Sequence, residues 1–88
     1  MLNMNWQIAV ANRARKQLNR FPDADKDRIE HAIGDMERDP FAGDIEKMHG
    51  QQNVWRRRVG TYRIFYEVFS GERLVRISEV RRRTSHTY

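Results

Sequence analysis

Apolar and polar positions repeat with two different periods along this chain, and the change of period marks its elements. From Val54 to Phe69 the order VWRRRVGTYRIFYEVF alternates with period two, the spacing of a strand with one buried face. Gly60-Thr61 interrupts the alternation and suits a two-residue hairpin loop of type II′, in which Gly comes first. That loop sets Val59 opposite Tyr62, Arg58 opposite Arg63, Arg57 opposite Ile64, Arg56 opposite Phe65 and Trp55 opposite Tyr66. Residues directly opposite share a face. One face therefore carries Trp55, Val59, Tyr62, Ile64 and Tyr66, with Arg57 as a charged intruder. The intruder is expected at the sheet edge, its stem on apolar neighbours and its head in water. The other face carries Arg56, Arg58, Arg63 and Phe65.

The same reading extends to both sides of the hairpin. Asn5 to Val10 alternates and predicts a first strand. Ala11, Ala14, Leu18 and Phe21 fall at helical spacing, with Asn12 as the expected N-cap. Pro22 breaks that helix and opens a second, whose early Asp23, Asp25 and Asp27 suit the helix dipole. Its stripe of Ile29, Ala32, Ile33 and Met36 runs to about Arg38, before Asp39-Pro40. Residues 41–52 are expected as a loop. After a turn at Ser70-Gly71, Arg73 to Arg81 predicts a last strand. Pairing Phe69 with Glu72 sets Val75 opposite Tyr66 and Ile77 opposite Ile64 on the apolar face. It also sets Arg76 opposite Phe65 and Ser78 opposite Arg63; a four-residue connection gives the same facing. The expectation is one α+β domain over residues 1–88: a small antiparallel sheet with an N-terminal αα-hairpin packed on one face, in the order strand, helix, helix, strand, strand, strand.

Charge sharpens this picture. From Val54 onward there are nine Arg and three Glu, a balance of +6, and no Lys. The first 53 residues hold eight Lys or Arg against nine Asp or Glu, a balance of −1. A plain solvated sheet surface needs no such segregation. Arginine's planar fork suits bidentate contact with phosphate and stacking on bases. Arg58 directly opposite Arg63 is destabilising unless an anion is brought between them. Arg56, Arg58, Arg63 and Arg76 thus form a candidate site for nucleic acid or an acidic protein, with Phe65 placed to stack on an unpaired base. There is no cysteine, hence no disulfide framework or Cys-based metal site. No apolar run is long enough to span a membrane, so a cytoplasmic protein is expected. His31 and His49 have no acid and His partner at metal-ligand spacing, and no metal or cofactor is expected. His86 and Tyr88 are candidates for proton chemistry, although a His in a polar tail is more often plain surface. Glu67 on the cationic face is a weaker candidate base or a neutralising partner.

Taken together, these residues resemble the RelE/ParE toxin superfamily. VWRRRVGTYRIFYEV is similar to that family's hairpin, in which a basic strand is followed by Gly, then Tyr-Arg, then apolar residues and Tyr. ISEVRRRTSHTY is similar to its last strand and basic tail closing on tyrosine, and Met48-His49-Gly50 stands where the family often has a Lys-Leu-Gly-like turn. The resemblance implies the toxin of a type II toxin–antitoxin system, neutralised by a cognate antitoxin. RelE-like members are mRNA interferases, ribosome-dependent endoribonucleases that cleave mRNA in the A site and inhibit translation. ParE-like members share the fold and poison DNA gyrase. The endoribonuclease is the leading expectation, with a gyrase inhibitor or an inactive antitoxin-binding homologue as the alternatives. By the resemblance, Arg63 contacts the scissile phosphate, Arg83 or Arg82 is the tail's catalytic basic residue, and Tyr88 stacks on the substrate base. Arg56 and Arg58 match positions that are often lysine. Arginine does not give up its proton, so the general base falls to His86 or Glu67. Many relatives continue past this tyrosine into a further helix, whereas here Tyr88 is expected to carry the terminal carboxylate.

Overall fold

The strictly alternating stretch Tyr62–Phe69 is the middle strand of a five-stranded sheet. The structure is a computed structural model and describes residues 5–83. In chain order its elements are β1 (Gln7–Val10), α1 (Asn12–Leu18), α2 (Asp23–Asp35), β2 (Ile45–Lys47), β3 (Val54–Val59), β4 (Tyr62–Phe69) and β5 (Leu74–Arg82), with a 3-10 turn over Ser70–Glu72. The strand order is β1-β5-β4-β3-β2. Every adjacent pair is antiparallel except β1 and β5, which run parallel. The fold is α+β, as the pattern predicts. Gly60 has φ +59 and Thr61 has no positive φ, as a type II′ turn requires, and the β3–β4 register is the one that turn dictates.

Both helices pack on one face. Ala14 and Leu18 of α1 and Ile29, Ala32, Ile33 and Met36 of α2 close over Tyr62, Ile64, Tyr66, Val68, Val75, Ile77 and Val80. Trp55, expected in the core, packs at its margin against the exposed ring of Phe41, 5.2 Å away. The helix ends differ from the pattern. Asn12 begins α1 and Ala11 occupies the capping position without a side-chain cap. Beyond Asp35 the chain tightens, with Glu37 N–H donating to the Gly34 carbonyl at 3.1 Å. Replacing Ile33 by Ala is expected to cost about 2–5 kcal/mol in urea unfolding, the range for a buried Ile left as a cavity.

Residues 41–52 contain β2, which pairs with β3. Three residues are too few for an alternation to show. Because β2 covers the edge of β3, Arg57 is not an edge residue with its head in water. Its guanidinium lies over the C-terminal end of α2, donating to the Ala32 carbonyl at 3.1 Å and standing 3.5 Å from Asp35 Oδ2. A helix C-terminus favours a cation and offers carbonyls without intrahelical partners. Gly43, with φ +90, lets the chain pass: a Cβ there would stand 2.8 Å from Arg57 Nε.

Tyr66 is the largest fully buried side chain, and its hydroxyl donates to the Pro40 carbonyl at 2.7 Å. Burial pushes its pKa up from 10 to about 12. A phenol raised in this way favours the folded state fully below pH 10, the unfolded value, and loses that advantage as pH rises through about 12. A melting temperature that falls over this window, less steeply in Tyr66→Phe, is the expected result.

The β4–β5 pairing carries the main correction. Phe69 pairs with Leu74 across a four-residue connection, and Tyr66 pairs with Ile77. Relative to a Phe69–Glu72 pairing this is a shift of two residues, which keeps each side chain on its face. Then the register breaks between Phe65 and Tyr66. The next pairs are Phe65–Glu79, Ile64–Val80, Arg63–Arg81 and Tyr62–Arg82, so Ser78 is the extra residue of a β-bulge. Ser78 Oγ donates to the Phe65 carbonyl at 3.0 Å, and Val80 N–H donates to Gln17 Oε1 of α1 at 2.6 Å. Compared with an unbulged strand, Val80 enters the core and Arg81 reaches the opposite face. Arg76 therefore does not face Phe65, and Ser78 does not face Arg63.

Candidate functional site

Among the described residues nothing covers the face of the sheet turned away from the helices, and β3, β4 and β5 deliver arginines to it. Arg63 lies at its centre. Arg58 of β3 is its partner on one side and Arg81 of β5 on the other, while Arg56 is two pairs further along, opposite Phe65. Arg83 follows the end of β5, its N–H donating to the Thr61 carbonyl at 2.6 Å. A shallow depression is lined by Arg63, Phe65, Arg81, Arg82 and Arg83. The guanidinium of Arg81 stands 5.4 Å from the centroid of the Phe65 ring, within cation–π reach.

Arg63 differs from its neighbours in its partners. Its Nε is buried and has no hydrogen-bond partner among the described residues. Burial lowers its pKa below the usual arginine value, and the charges of Arg56, Arg83 and Arg58 act in the same direction, with Glu46 opposing them. Arginine remains protonated under such a shift. The physical meaning is a positive charge held where its surroundings disfavour it, which an incoming anion would relieve. Four other arginines of this face are matched. Arg56 pairs with Glu46 of β2, Arg58 Nε lies 3.2 Å from Asp44 Oδ2, Arg76 lies 3.0 Å from Glu67, and Arg81 pairs with Glu79.

The residues expected from sequence are thus partly gathered. Arg63, Phe65 and Arg83 line one depression, and Arg56 and Arg58 stand beside it as the strand partners of Phe65 and Arg63. Arg76 is on the same face but two pairs beyond Phe65, tied to Glu67, so neither belongs to the group around Arg63. Arg82 contributes to the lining of the depression, but the register turns it toward the helix side, with its guanidinium 6.0 Å from the Tyr62 ring. There the Tyr62 hydroxyl donates to Asp25 at 2.7 Å, a bond that holds the Asp25 carboxyl below its ordinary range. His86 and Tyr88 lie outside the described residues. Among the described residues no group of His, Asp or Glu is placed to hold a metal ion. Sequence reasoning missed Arg81, Glu79, Asp44 and Glu46. Arg81 had a signal: the apolar positions Val75 and Ile77 are two apart, and the next, Val80, is three further on.

These features define a class: a small α+β protein with a helical hairpin on one face of its sheet and an arginine site on the other. The family model of the ParE toxin of type II toxin–antitoxin systems matches residues 8–86, and the chain belongs to this family, within the RelE/ParE toxin superfamily. A protein of Methanocaldococcus jannaschii bearing the toxin name RelE1 is 25% identical over 83 residues, covering 91% of this chain and 92% of that protein. The crystal structure of the archaeal RelE–RelB complex from Pyrococcus horikoshii superposes with a TM-score of 0.83 at 23% identity, covering 94% of this chain and all of that one. The RelB–RelE antitoxin–toxin complex from Methanococcus jannaschii gives a TM-score of 0.71 at 27% identity, covering 84% of this chain and 88% of that one.

Proposed function

We propose that this toxin is a ribosome-dependent endoribonuclease that cleaves mRNA in the A site. The observation that carries the reading is the buried, unpartnered Nε of Arg63 at the centre of a cationic face, beside the Phe65 ring. A fixed guanidinium of this kind stabilises charge that develops on phosphate oxygens in the transition state. The 2′-hydroxyl attacks the adjacent phosphorus in line; the new bond to the 2′-oxygen forms as the bond to the 5′-oxygen breaks. The products are a 2′,3′-cyclic phosphate and a 5′-hydroxyl, the departing 5′-oxygen taking its proton from water. Arg63 and Arg83 hold the phosphate, Arg56 and Arg58 lie beside them with their charges already paired to Glu46 and Asp44, and Phe65 or Tyr88 holds a base out of its stack. Because arginine cannot take the 2′-OH proton, His86 fills that role. Glu67 is the weaker candidate, since it is engaged by Arg76 away from Arg63.

A second reading is gyrase inhibition without cleavage. It is favoured by the ParE description of the matching family and by arginine in place of lysine at positions 56 and 58. Two assays run in parallel separate them. Loss of protein synthesis in a cell-free translation reaction, with gyrase supercoiling untouched, supports the nuclease; blocked supercoiling with normal translation supports the other reading. In either case we infer a cognate antitoxin, because the Pyrococcus and Methanococcus neighbours were solved with RelB. Pull-down of the product of an adjacent reading frame, co-expressed with this chain, tests that partner.

A further inference from the structure

The arginines of the open face carry their own counterions, and only its centre does not. Asp44 and Glu46 come from the segment that forms β2 and reach across the sheet edge to Arg58 and Arg56. At the other side Glu79, with its side chain 15% exposed, serves both Arg81 and Arg13, the latter at 3.6 Å. Arg63 and Arg83 have no carboxylate partner among the described residues. A phosphate that approaches Arg56 or Arg58 must compete with a carboxylate already in place. One that approaches Arg63 displaces no paired carboxylate among the described residues and relieves the repulsion among Arg63, Arg56, Arg83 and Arg58.

We propose that Asp44 and Glu46 are specificity-determining residues that confine phosphate binding to the Arg63 position, so that the protein engages one presented phosphodiester and binds free single-stranded RNA only weakly. This rests on the reading of the open face as an RNA site. Its physical basis is counterion release: each phosphate neutralised on a single strand adds about 0.7 to the slope of log affinity against log salt. Ion pairs this exposed contribute little to stability, so their removal leaves the fold intact while adding two uncompensated cations beside Arg63.

The test is a salt titration with a 2′-O-methyl single-stranded oligonucleotide, which cannot be cleaved. With Arg63 and Arg83 as the available contacts, affinity should fall about 7-fold between 50 and 200 mM salt. In the Asp44→Asn, Glu46→Gln double variant two more contacts open, and the fall should be about 50-fold. Asp23→Asn, Asp27→Asn, which changes net charge equally at exposed positions of α2, should behave as the wild type. A wild type with the steep dependence, or a double variant with the shallow one, overturns the proposal while leaving the RNA site standing. Absence of binding by every variant at 50 mM salt overturns both.

Discussion

Val80→Asp is expected to abolish folding. Val80 is 1% exposed and packs in the core only because the bulge at Ser78 turns it inward. An ionised carboxylate without a partner in that position costs several kcal/mol, against a total stability of about 5–15 kcal/mol for a typical domain. In an unbulged strand Val80 would face solvent on the arginine side, and the same substitution would be nearly silent or even favourable beside so many cations. Circular dichroism and urea unfolding of the variant distinguish the two cases. Deleting Ser78 is the complementary change. It removes the extra residue while leaving Glu79 and Arg81 on the open face and Val80 inside, so a folded protein with a straighter β5 is expected.

Arg63→Ala is expected to reduce cleavage by about 100- to 1000-fold, the range for loss of one donor that stabilises transition-state charge. The protein should remain folded, because Arg63 lies on the face opposite the core. Its melting temperature should hold or rise slightly, since Arg58, Arg56 and Arg83 all oppose the charge at position 63. Arg63→Lys should also be poor, because a point charge does not replace the bidentate fork. Retained activity in Arg63→Ala, measured as cleavage rate by the folded variant, would move the phosphate site elsewhere on the face.

The hairpin was legible from sequence because one device, a two-residue loop opening on Gly60, fixes every pair from Val59–Tyr62 to Trp55–Tyr66. The helical hairpin was legible because Ile29, Ile33 and Met36 have only one apolar sheet face to cover. The centre of the site followed from the hairpin, since Arg58 and Arg63 are paired by that same loop. Its surroundings did not follow. Arg81 reaches the site through a bulge, and a bulge changes facing without changing composition. Glu46 reaches it from a strand of three residues, and Asp44 from the residue just before that strand, which is below the length at which alternation is readable. Arg57 was misjudged for the same reason: the edge it was assigned to is covered by β2, and its partners, the Ala32 carbonyl and Asp35, sit more than twenty residues away in sequence.

The most direct measurement of the central claim is primer extension on a message recovered from a translating reaction, alongside the same message incubated with the protein without ribosomes. The account predicts a cut within the codon in the ribosomal A site, a 5′-hydroxyl on the downstream fragment, no cut on the free message, and loss of the cut with Arg63→Ala. A message recovered at full length from ribosomes that have stopped translating would contradict it.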